Sequence, residues 1–161
     1  MNEGMPTSNV MKDEFGWEVP VESVPLPSRG VIYSPDSLLY NTETLQIKAM
    51  TAKEEDILTS QAFLKENLVV EKLINSCLIE KTIDVNDLIS GDRNALMVSI
   101  RITGYGTDYN ITHSCSSCSH GNEIKADLSQ LGIKRLSVEP LEPGRNLFEF
   151  QLPVTKKTIN Y

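Results

Sequence analysis

Short stretches of the chain alternate apolar and polar residues with the period of a β-strand. Leu45, Ile47 and Ala49 alternate with Gln46 and Lys48, a pattern typical of a half-buried strand. The same reasoning predicts strands over residues 31–33, 147–152 and 155–161. Residues 24–30, directly before the strand predicted over 31–33, are rich in proline and glycine, which predicts a turn.

Helical spacing of apolar residues appears in the middle of the chain. Thr51 and Glu54 have the spacing of a capping box, so a helix is predicted to begin near residue 52. A following apolar face consists of Leu68, Val69, Leu73, Ile74, Cys77 and Leu78. A short helical turn is predicted within residues 85–89. Asp92 is placed to cap a last helix that ends at Gly104.

Two alternating stretches joined by a compact turn predict a β-hairpin over about residues 107–128. Together the elements predict an α+β fold: a small antiparallel sheet of about five strands with two or three helices on one face. We expect a single domain over residues 24–161, with a C-terminal strand region over 145–161. The chain stops without a closing signal after Tyr161, so we expect it to be shorter than, or cut from, a longer product.

The first 23 residues are polar and acidic, with glycine and proline interspersed. Such a composition contains too little apolar surface to offset the entropy lost on ordering, which predicts a flexible acidic N-terminal arm over residues 1–23. Trp17 is the exception in this segment. It is a candidate anchor for a partner protein, and the alternative is that it folds back on its own domain.

Charge and composition narrow the classes of function. The net charge is −7 and no basic patch stands out, which disfavours nucleic-acid binding. No stretch approaches the roughly 20 consecutive apolar residues that span a bilayer, and the N-terminus has no secretory signal. We therefore expect an intracellular protein whose three cysteines are reduced.

The motif with the clearest chemistry is Cys115-x-x-Cys118 at the predicted hairpin tip, the arrangement of a zinc knuckle. Because tetrahedral zinc needs four ligands, a single cysteine pair is an incomplete set. His113 and His120 flank the pair symmetrically and are candidate ligands for one structural zinc ion. Cys77 is a weaker candidate, since a cysteine on an apolar helical face commonly belongs to the core.

Other interpretations of the pair stay open. A knuckle that holds its turn without metal is one alternative, and a thiol redox role is another. The redox alternative is the weaker, because redox pairs of the thioredoxin type place the first cysteine at a helix N-terminus, whereas both flanks here are predicted strands. No phosphate-binding loop, nucleophile elbow or acid pair is present, so we expect neither an enzyme nor a small-molecule substrate.

The order of these features resembles the baseplate hub assembly proteins of T-even-type contractile-tailed bacteriophages. The resemblance rests on the ordered series over about residues 24–130: Leu26 to Gly30, Thr51 to Asp56, the Cys77 helix, Asp92 to Ile102, Tyr105-Gly106-x-x-Tyr109, and Cys115-x-x-Cys118 leading to Asp127-Leu128. The knuckle cysteines of the family correspond to Cys115 and Cys118. Serines stand here in place of the more usual proline and glycine within and after the pair.

The resemblance implies a late viral protein that acts in the host cytoplasm. It would be a chaperone-like, non-enzymatic assembly factor that binds phage baseplate hub or tail proteins. The alternative is a permanent minor component of the virion baseplate.

Overall fold

A computed structural model describes residues 9–12 and 16–161. The fold is α+β, as predicted, and the described residues form four α-helices and seven short strands. In chain order the elements are β1 (Val10–Lys12), β2 (Glu18–Pro25), β3 (Thr44–Lys48), α1 (Ala52–Thr59), α2 (Gln61–Glu66), α3 (Val69–Cys77), a 3-10 turn (Val85–Asp87), α4 (Ser90–Tyr105), β4 (Asp108–Ser114), β5 (Gly121–Asp127), a 3-10 turn (Leu128–Gln130), β6 (Glu149–Gln151) and β7 (Thr158–Asn160).

The strands of the described residues form three separate antiparallel sheets, so the prediction of one sheet of about five strands is wrong. The first sheet has the order β1-β2-β3, while β4 pairs only with β5 and β6 only with β7. The alternating pattern located β3, β4, β5 and β6, but it did not find β1 or β2. It could not show which hairpins join, because an isolated two-stranded hairpin and the edge of a larger sheet have the same period.

Part of the predicted N-terminal arm belongs to the first sheet. β1 lies within residues 1–23, and β2 begins within them and ends beyond them at Pro25. β2 pairs with β3 in a register that places Val24 opposite Leu45. Val19 and Val24 are buried. The boundary predicted between residues 23 and 24 therefore falls inside a strand. Residues 1–8 and 13–15 lie outside the described residues, and for them the arm stays a prediction.

The hydrophobic core lies between strands β2 and β3 and helices α3 and α4, with α1 packed against it. Ile47 from β3, Ile74 from α3 and Ile100 from α4 are almost completely buried in it. α1 contacts α3, α3 contacts α4, and α4 contacts both β2 and β3. The predicted start of α1 near residue 52 is confirmed, and the apolar face predicted over residues 68–78 belongs to α3. α4 runs past Gly104 to Tyr105, and its C-cap is Gly106, whose φ of 79° and ψ of −179° suit glycine.

Residues 31–33 form turns, so the strand predicted there is wrong. Arg29 and Gly30, directly before this segment, have left-handed φ values of 57° and 73°, and the Val31 amide donates back to the Ser28 carbonyl at 3.3 Å, as in a turn. An alanine Cβ at Gly30 would lie 2.3 Å from the Thr42 amide nitrogen, so the turn needs glycine. The result is a compact segment that buries Tyr33 against the start of α4.

Asp92 does not cap α4 from outside; it lies inside the first turn and is completely buried. Its carboxylate accepts hydrogen bonds from the Ser28 amide at 2.9 Å, the Ser28 hydroxyl at 2.5 Å and the Tyr33 hydroxyl at 2.6 Å. The Tyr33 oxygen in turn accepts from the Ile89 amide at 3.1 Å. The carboxylate therefore fastens the turn segment to α4.

A second buried carboxylate joins α1, α3 and β3. Glu54 accepts from Lys48 Nζ at 2.6 Å, the Thr51 amide at 2.9 Å, the Thr51 hydroxyl at 2.6 Å and the Ser76 hydroxyl at 2.5 Å. Burial alone would raise its pKa, but the bonds from Lys48, Ser76 and Thr51 outweigh that effect and lower it to about 2. The capping box predicted from Thr51 and Glu54 is confirmed, and the buried ion pair with Lys48 is additional.

Candidate functional site: a cysteine turn and an apolar groove

Cys115 and Cys118 lie in the tight turn between β4 and β5, at the tip of the predicted hairpin. The Cys115 amide donates to the His120 carbonyl at 2.9 Å, and the Ser119 amide donates to the Cys115 carbonyl at 2.8 Å. Ser119 has a φ of 58°, the left-handed conformation in which glycine is favoured. The predicted hairpin is confirmed, whereas its zinc-knuckle character stays a prediction.

The turn directs polar hydrogens at one sulfur. The neighbouring polar groups of the turn, first the backbone amide of Cys118, then that of Ser117 and then the Cys118 thiol, lower the pKa of the Cys115 thiol. Cys115 and Cys118 lie in one tight turn, and both are free thiols. Such a pair can bind one metal ion jointly or can form a disulfide on oxidation.

Cys77 has a different environment. It is completely buried in the core at the end of α3, and burial first, then the nearby Glu54, raises the pKa of its thiol to about 11. A buried, protonated thiol of this kind is chemically inert.

The histidines of the predicted ligand set are exposed on the hairpin. His113 pairs with Asn122 across the two strands, and His120 lies in the turn. Within residues 9–12 and 16–161, no three side chains of histidine, cysteine, aspartate or glutamate come together as a metal-binding group. The turn thus brings together the two thiols, and a zinc ligand set that includes His113, His120 or Cys77 stays a prediction.

An open apolar groove of about 380 Å³ lies between α3, α4 and the base of the hairpin. Its walls include Val70 and Leu73 from α3, Met97 and Tyr105 from α4, and Tyr109 from β4. Several of these side chains are substantially exposed, including 44% of Tyr109. Exposed apolar side chains gathered in one groove are typical of a surface that binds another polypeptide.

Arg101 fixes the hairpin relative to α4. Its guanidinium donates to the Gly106 carbonyl at 3.0 Å and to the Asp108 carbonyl at 3.2 Å. It also lies over the rings of Tyr105 and Tyr109, at 4.9 and 5.8 Å from their centroids. The hairpin base is therefore held beside the groove.

The groove continues along one face of the hairpin. Tyr109 is paired with Ala126 and Ile111 with Ile124, and directly paired residues share a face. Ile111 is 39% exposed and Ile124 50% exposed. The alternation of apolar residues in these strands is visible in the sequence, but the alternation alone indicates no function. The spacing of Met97, Arg101 and Tyr105 on α4, four residues apart, was the signal that could have located the groove.

Trp17 lies immediately before β2 with 72% of its side chain exposed. Its role as an anchor for a partner stays a prediction. Among the helices of the described residues, none combines the length and apolarity that crossing a membrane requires.

The described residues thus form a small α+β fold that presents an exposed apolar groove beside a projecting hairpin, a surface feature typical of proteins that bind other polypeptides. The chain belongs to the T4 bacteriophage base plate protein family, whose family model matches residues 31–161. The resemblance to baseplate proteins of T4-type phages is thereby confirmed. No curated protein and no solved structure matches the chain significantly.

Proposed function

We propose that this protein is a non-enzymatic, chaperone-like assembly factor that binds hub proteins of the phage baseplate in the host cytoplasm. The observation that carries the proposal is the open apolar groove between α3, α4 and the hairpin in a chain of a baseplate family. An assembly factor must recognise surfaces that later become interfaces, and such surfaces are commonly apolar at their centre.

The composition of the groove favours a protein ligand over a small polar one. Its walls are aliphatic and aromatic apart from Arg101, whose guanidinium is already engaged by backbone carbonyls. Flexible methionines, here Met50 and Met97, suit surfaces that adapt to a partner. The acidic net charge of −7 also favours protein partners over nucleic acid.

The test compares a groove variant with a surface control. Met97→Ser combined with Tyr109→Ser removes apolar area from the groove, while Leu38→Ser with Val154→Ser removes exposed apolar side chains elsewhere. Tagged versions are purified from cells infected with the cognate phage, and the recovered tail proteins are quantified by mass spectrometry.

We expect the parent chain and the control pair to recover baseplate hub proteins, and the groove variant to recover at least about 10-fold less, which corresponds to about 1.4 kcal/mol of binding. Circular dichroism should show that all three fold. Equal recovery by the groove variant would exclude the groove as the binding surface. Recovery of no hub or tail protein by the parent would exclude the proposed function.

A permanent minor component of the virion baseplate is the second candidate function, and the family description as a base plate protein favours it equally. Quantitative mass spectrometry of purified particles separates the two. Absence from mature particles supports the assembly factor, and a fixed copy number per particle supports the structural component.

A further inference from the structure

We propose that a second pocket binds an acidic segment of a partner protein, whose carboxylates contact lysines and whose apolar side chain contacts the pocket floor. This lysine pocket, of about 410 Å³, lies between β1, residues 48–53 and residues 76–81, and its lysines are Lys12, Lys48, Lys53 and Lys81. Among the residues that the structure describes, it shares none of its lining with the groove between α3, α4 and the hairpin. The inference therefore goes beyond the proposed function and does not depend on it.

The lysines reach the pocket from different elements of the fold, so the sequence shows no basic patch. Lys12 belongs to β1, Lys48 to β3 and Lys53 to the first turn of α1, while Lys81 follows α3. The chain has 15 lysines and arginines against 22 aspartates and glutamates, yet none of the described residues that line the pocket is acidic. A local concentration of positive charge on an acidic protein attracts anionic groups to that place.

Two of the ammonium groups have defined positions. Lys48 Nζ lies 2.6 Å from Glu54 Oε1, and Glu54 is completely buried, so its carboxylate is not accessible to a ligand. Lys81 Nζ donates to the carbonyls of Asn75 at 2.7 Å and Ser76 at 3.0 Å, at the end of α3. These carbonyls orient the ammonium group but have no formal charge to neutralise it, and an ammonium group has a third hydrogen to donate to a ligand.

The lysines also influence one another. Burial, and then the charge of Lys48, lowers the pKa of Lys81; Lys53 acts in the same direction, while Cys77 and Glu54 oppose it. The ammonium groups are therefore close enough to repel one another. Carboxylates placed between them relieve this repulsion, which favours an anionic ligand over a neutral one.

The floor of the pocket is apolar. Met11 and Ile79 line it as half-buried side chains, and Leu78 lines it almost completely buried. The stems of the lysines add further apolar surface. A ligand that combines carboxylates with an apolar side chain matches both parts of the pocket, and an acidic polypeptide segment that contains such a side chain has this composition.

Phosphate ligands and nucleic acids match the lining less well. Phosphate sites typically use arginine forks or free backbone amides, but the described lining residues include no arginine, and the Thr51 amide donates to Glu54 Oε2 at 2.9 Å. Single-stranded nucleic acids stack their bases on aromatic side chains, and none of the lining residues in the described part of the chain is aromatic. The lining therefore favours a polypeptide.

The test selects a ligand without assuming its sequence. The immobilised full chain and its groove variant Met97→Ser/Tyr109→Ser are each used to select from a library of short random peptides, and the recovered peptides are sequenced. Peptides recovered equally by both are kept, which removes ligands of the groove. We expect these peptides to be enriched in aspartate and glutamate and to contain a large apolar residue.

The most enriched peptide then serves as the probe in fluorescence anisotropy. Lys12→Gln/Lys53→Gln/Lys81→Gln should weaken its binding by at least about 10-fold, since three attractive charges are lost. The charge-preserving Lys12→Arg/Lys53→Arg/Lys81→Arg should bind within about 3-fold of the parent chain. Circular dichroism should show that both variants fold.

The matched control removes the same charge elsewhere. Lys65→Gln/Lys125→Gln/Lys156→Gln changes exposed lysines outside the pocket and should alter binding by less than about 2-fold. In the parent chain, amide chemical shift changes on adding the probe should concentrate in residues 48–53 and 76–81, a measurement that needs no variant.

Three results would overturn the proposal. The first is a selection without acidic enrichment, and the second is equal weakening in the pocket and control variants or chemical shift changes concentrated elsewhere. The third is tighter binding of inorganic phosphate or of a single-stranded oligonucleotide than of the selected peptide, lost in the same glutamine variant, which would replace the peptide by a phosphate ligand.

Discussion

The buried carboxylate of Asp92 accepts a 2.6 Å hydrogen bond from the hydroxyl of Tyr33, a residue 59 positions earlier in the chain. Burial, and then the bond to Asp92, raises the pKa of Tyr33 well above its ordinary value, so the phenol stays a donor throughout the physiological range. The contact joins a turn segment without regular secondary structure to the longest helix of the described residues.

We predict that Asp92→Ala is severely destabilising. It leaves the Ser28 amide, the Ser28 hydroxyl and the Tyr33 hydroxyl without their acceptor in a buried site. The expected loss is about 3–5 kcal/mol in the free energy of unfolding, measured by urea denaturation. Asp87→Ala, at an exposed carboxylate nearby, serves as the control and should change stability by less than about 0.5 kcal/mol.

Tyr33→Phe tests the same contact more gently. Asp92 keeps both bonds from Ser28, but the Ile89 amide loses its acceptor. We expect a loss of about 1–2 kcal/mol in urea denaturation. A Tyr33→Phe variant as stable as the parent would mean that water or a rearranged backbone satisfies both groups.

The lowered pKa of Glu54 predicts that the fold loses stability in acid. Its pKa is about 2 in the folded chain against an ordinary 4.5, so its interactions stabilise the fold fully above pH 4.5 and are lost as the pH falls towards 2. The contribution is on the order of 3 kcal/mol at neutral pH. Glu54→Gln should therefore be destabilised at pH 7, because Lys48 loses its charged partner.

The measurement is urea denaturation of the parent and of Glu54→Gln from pH 7 down to pH 2. The difference in unfolding free energy should be largest at pH 7 and should shrink between pH 4.5 and 2. Glu55→Gln, at the exposed neighbour in the same helical turn, should follow the parent at every pH. A difference between parent and Glu54→Gln that stays constant with pH would contradict the assignment.

The two buried carboxylates show where sequence reasoning succeeded and where it stopped. The spacing of Thr51 and Glu54 predicted the start of α1, because a capping box involves residues three apart and depends only on local geometry. Neither Ser76 nor Lys48 could be predicted as a partner of Glu54, because tertiary packing brings them together. For the same reason Asp92 was predicted as a cap and proved to be a buried acceptor for Ser28 and Tyr33.

The candidate functional site could also be predicted only where it depends on local sequence. The turn between β4 and β5 follows from a local pattern, and its cysteines lie at the tip as predicted. The groove between α3 and α4 depends on how two helices pack, and its residues also fit a buried helical face. Only the packing shows that Met97 and Tyr105 remain accessible.

Alanine substitution at three glycines tests the turn geometry, because the expected loss of stability differs from one position to the next. Alanine at Gly30 would place its Cβ 2.3 Å from the Thr42 nitrogen and 2.6 Å from the Leu39 oxygen, at a φ of 73°. Backbone atoms cannot move away as a side chain can, so we expect a loss of about 3 kcal/mol or more in unfolding free energy.

The other two glycines are the controls. Gly106 combines a φ of 79° with a ψ of −179°, a conformation that is essentially restricted to glycine, but no atom lies within 4 Å of an added Cβ, so Gly106→Ala should cost about 1–3 kcal/mol for the backbone conformation alone. Gly121 has neither a positive φ nor a neighbour within 4 Å, so Gly121→Ala should be neutral within about 0.5 kcal/mol. Thermal denaturation should give the order Gly30, Gly106, Gly121 from most to least destabilised, and any other order would contradict the turn geometry.

The last prediction concerns Ser119, which holds a φ of 58° in the cysteine turn. A serine pays a steric penalty in this left-handed conformation that glycine does not, so Ser119→Gly should stabilise the hairpin by about 0.5–1 kcal/mol. Ser116→Gly, in the same turn but without a positive φ, should be neutral or slightly destabilising because it only adds freedom to the unfolded chain. Amide hydrogen exchange in β4 and β5 measures the effect locally, and Ser119→Gly should slow it while Ser116→Gly should not. Faster exchange in Ser119→Gly would mean that the serine hydroxyl contributes more to the turn than its backbone strain removes.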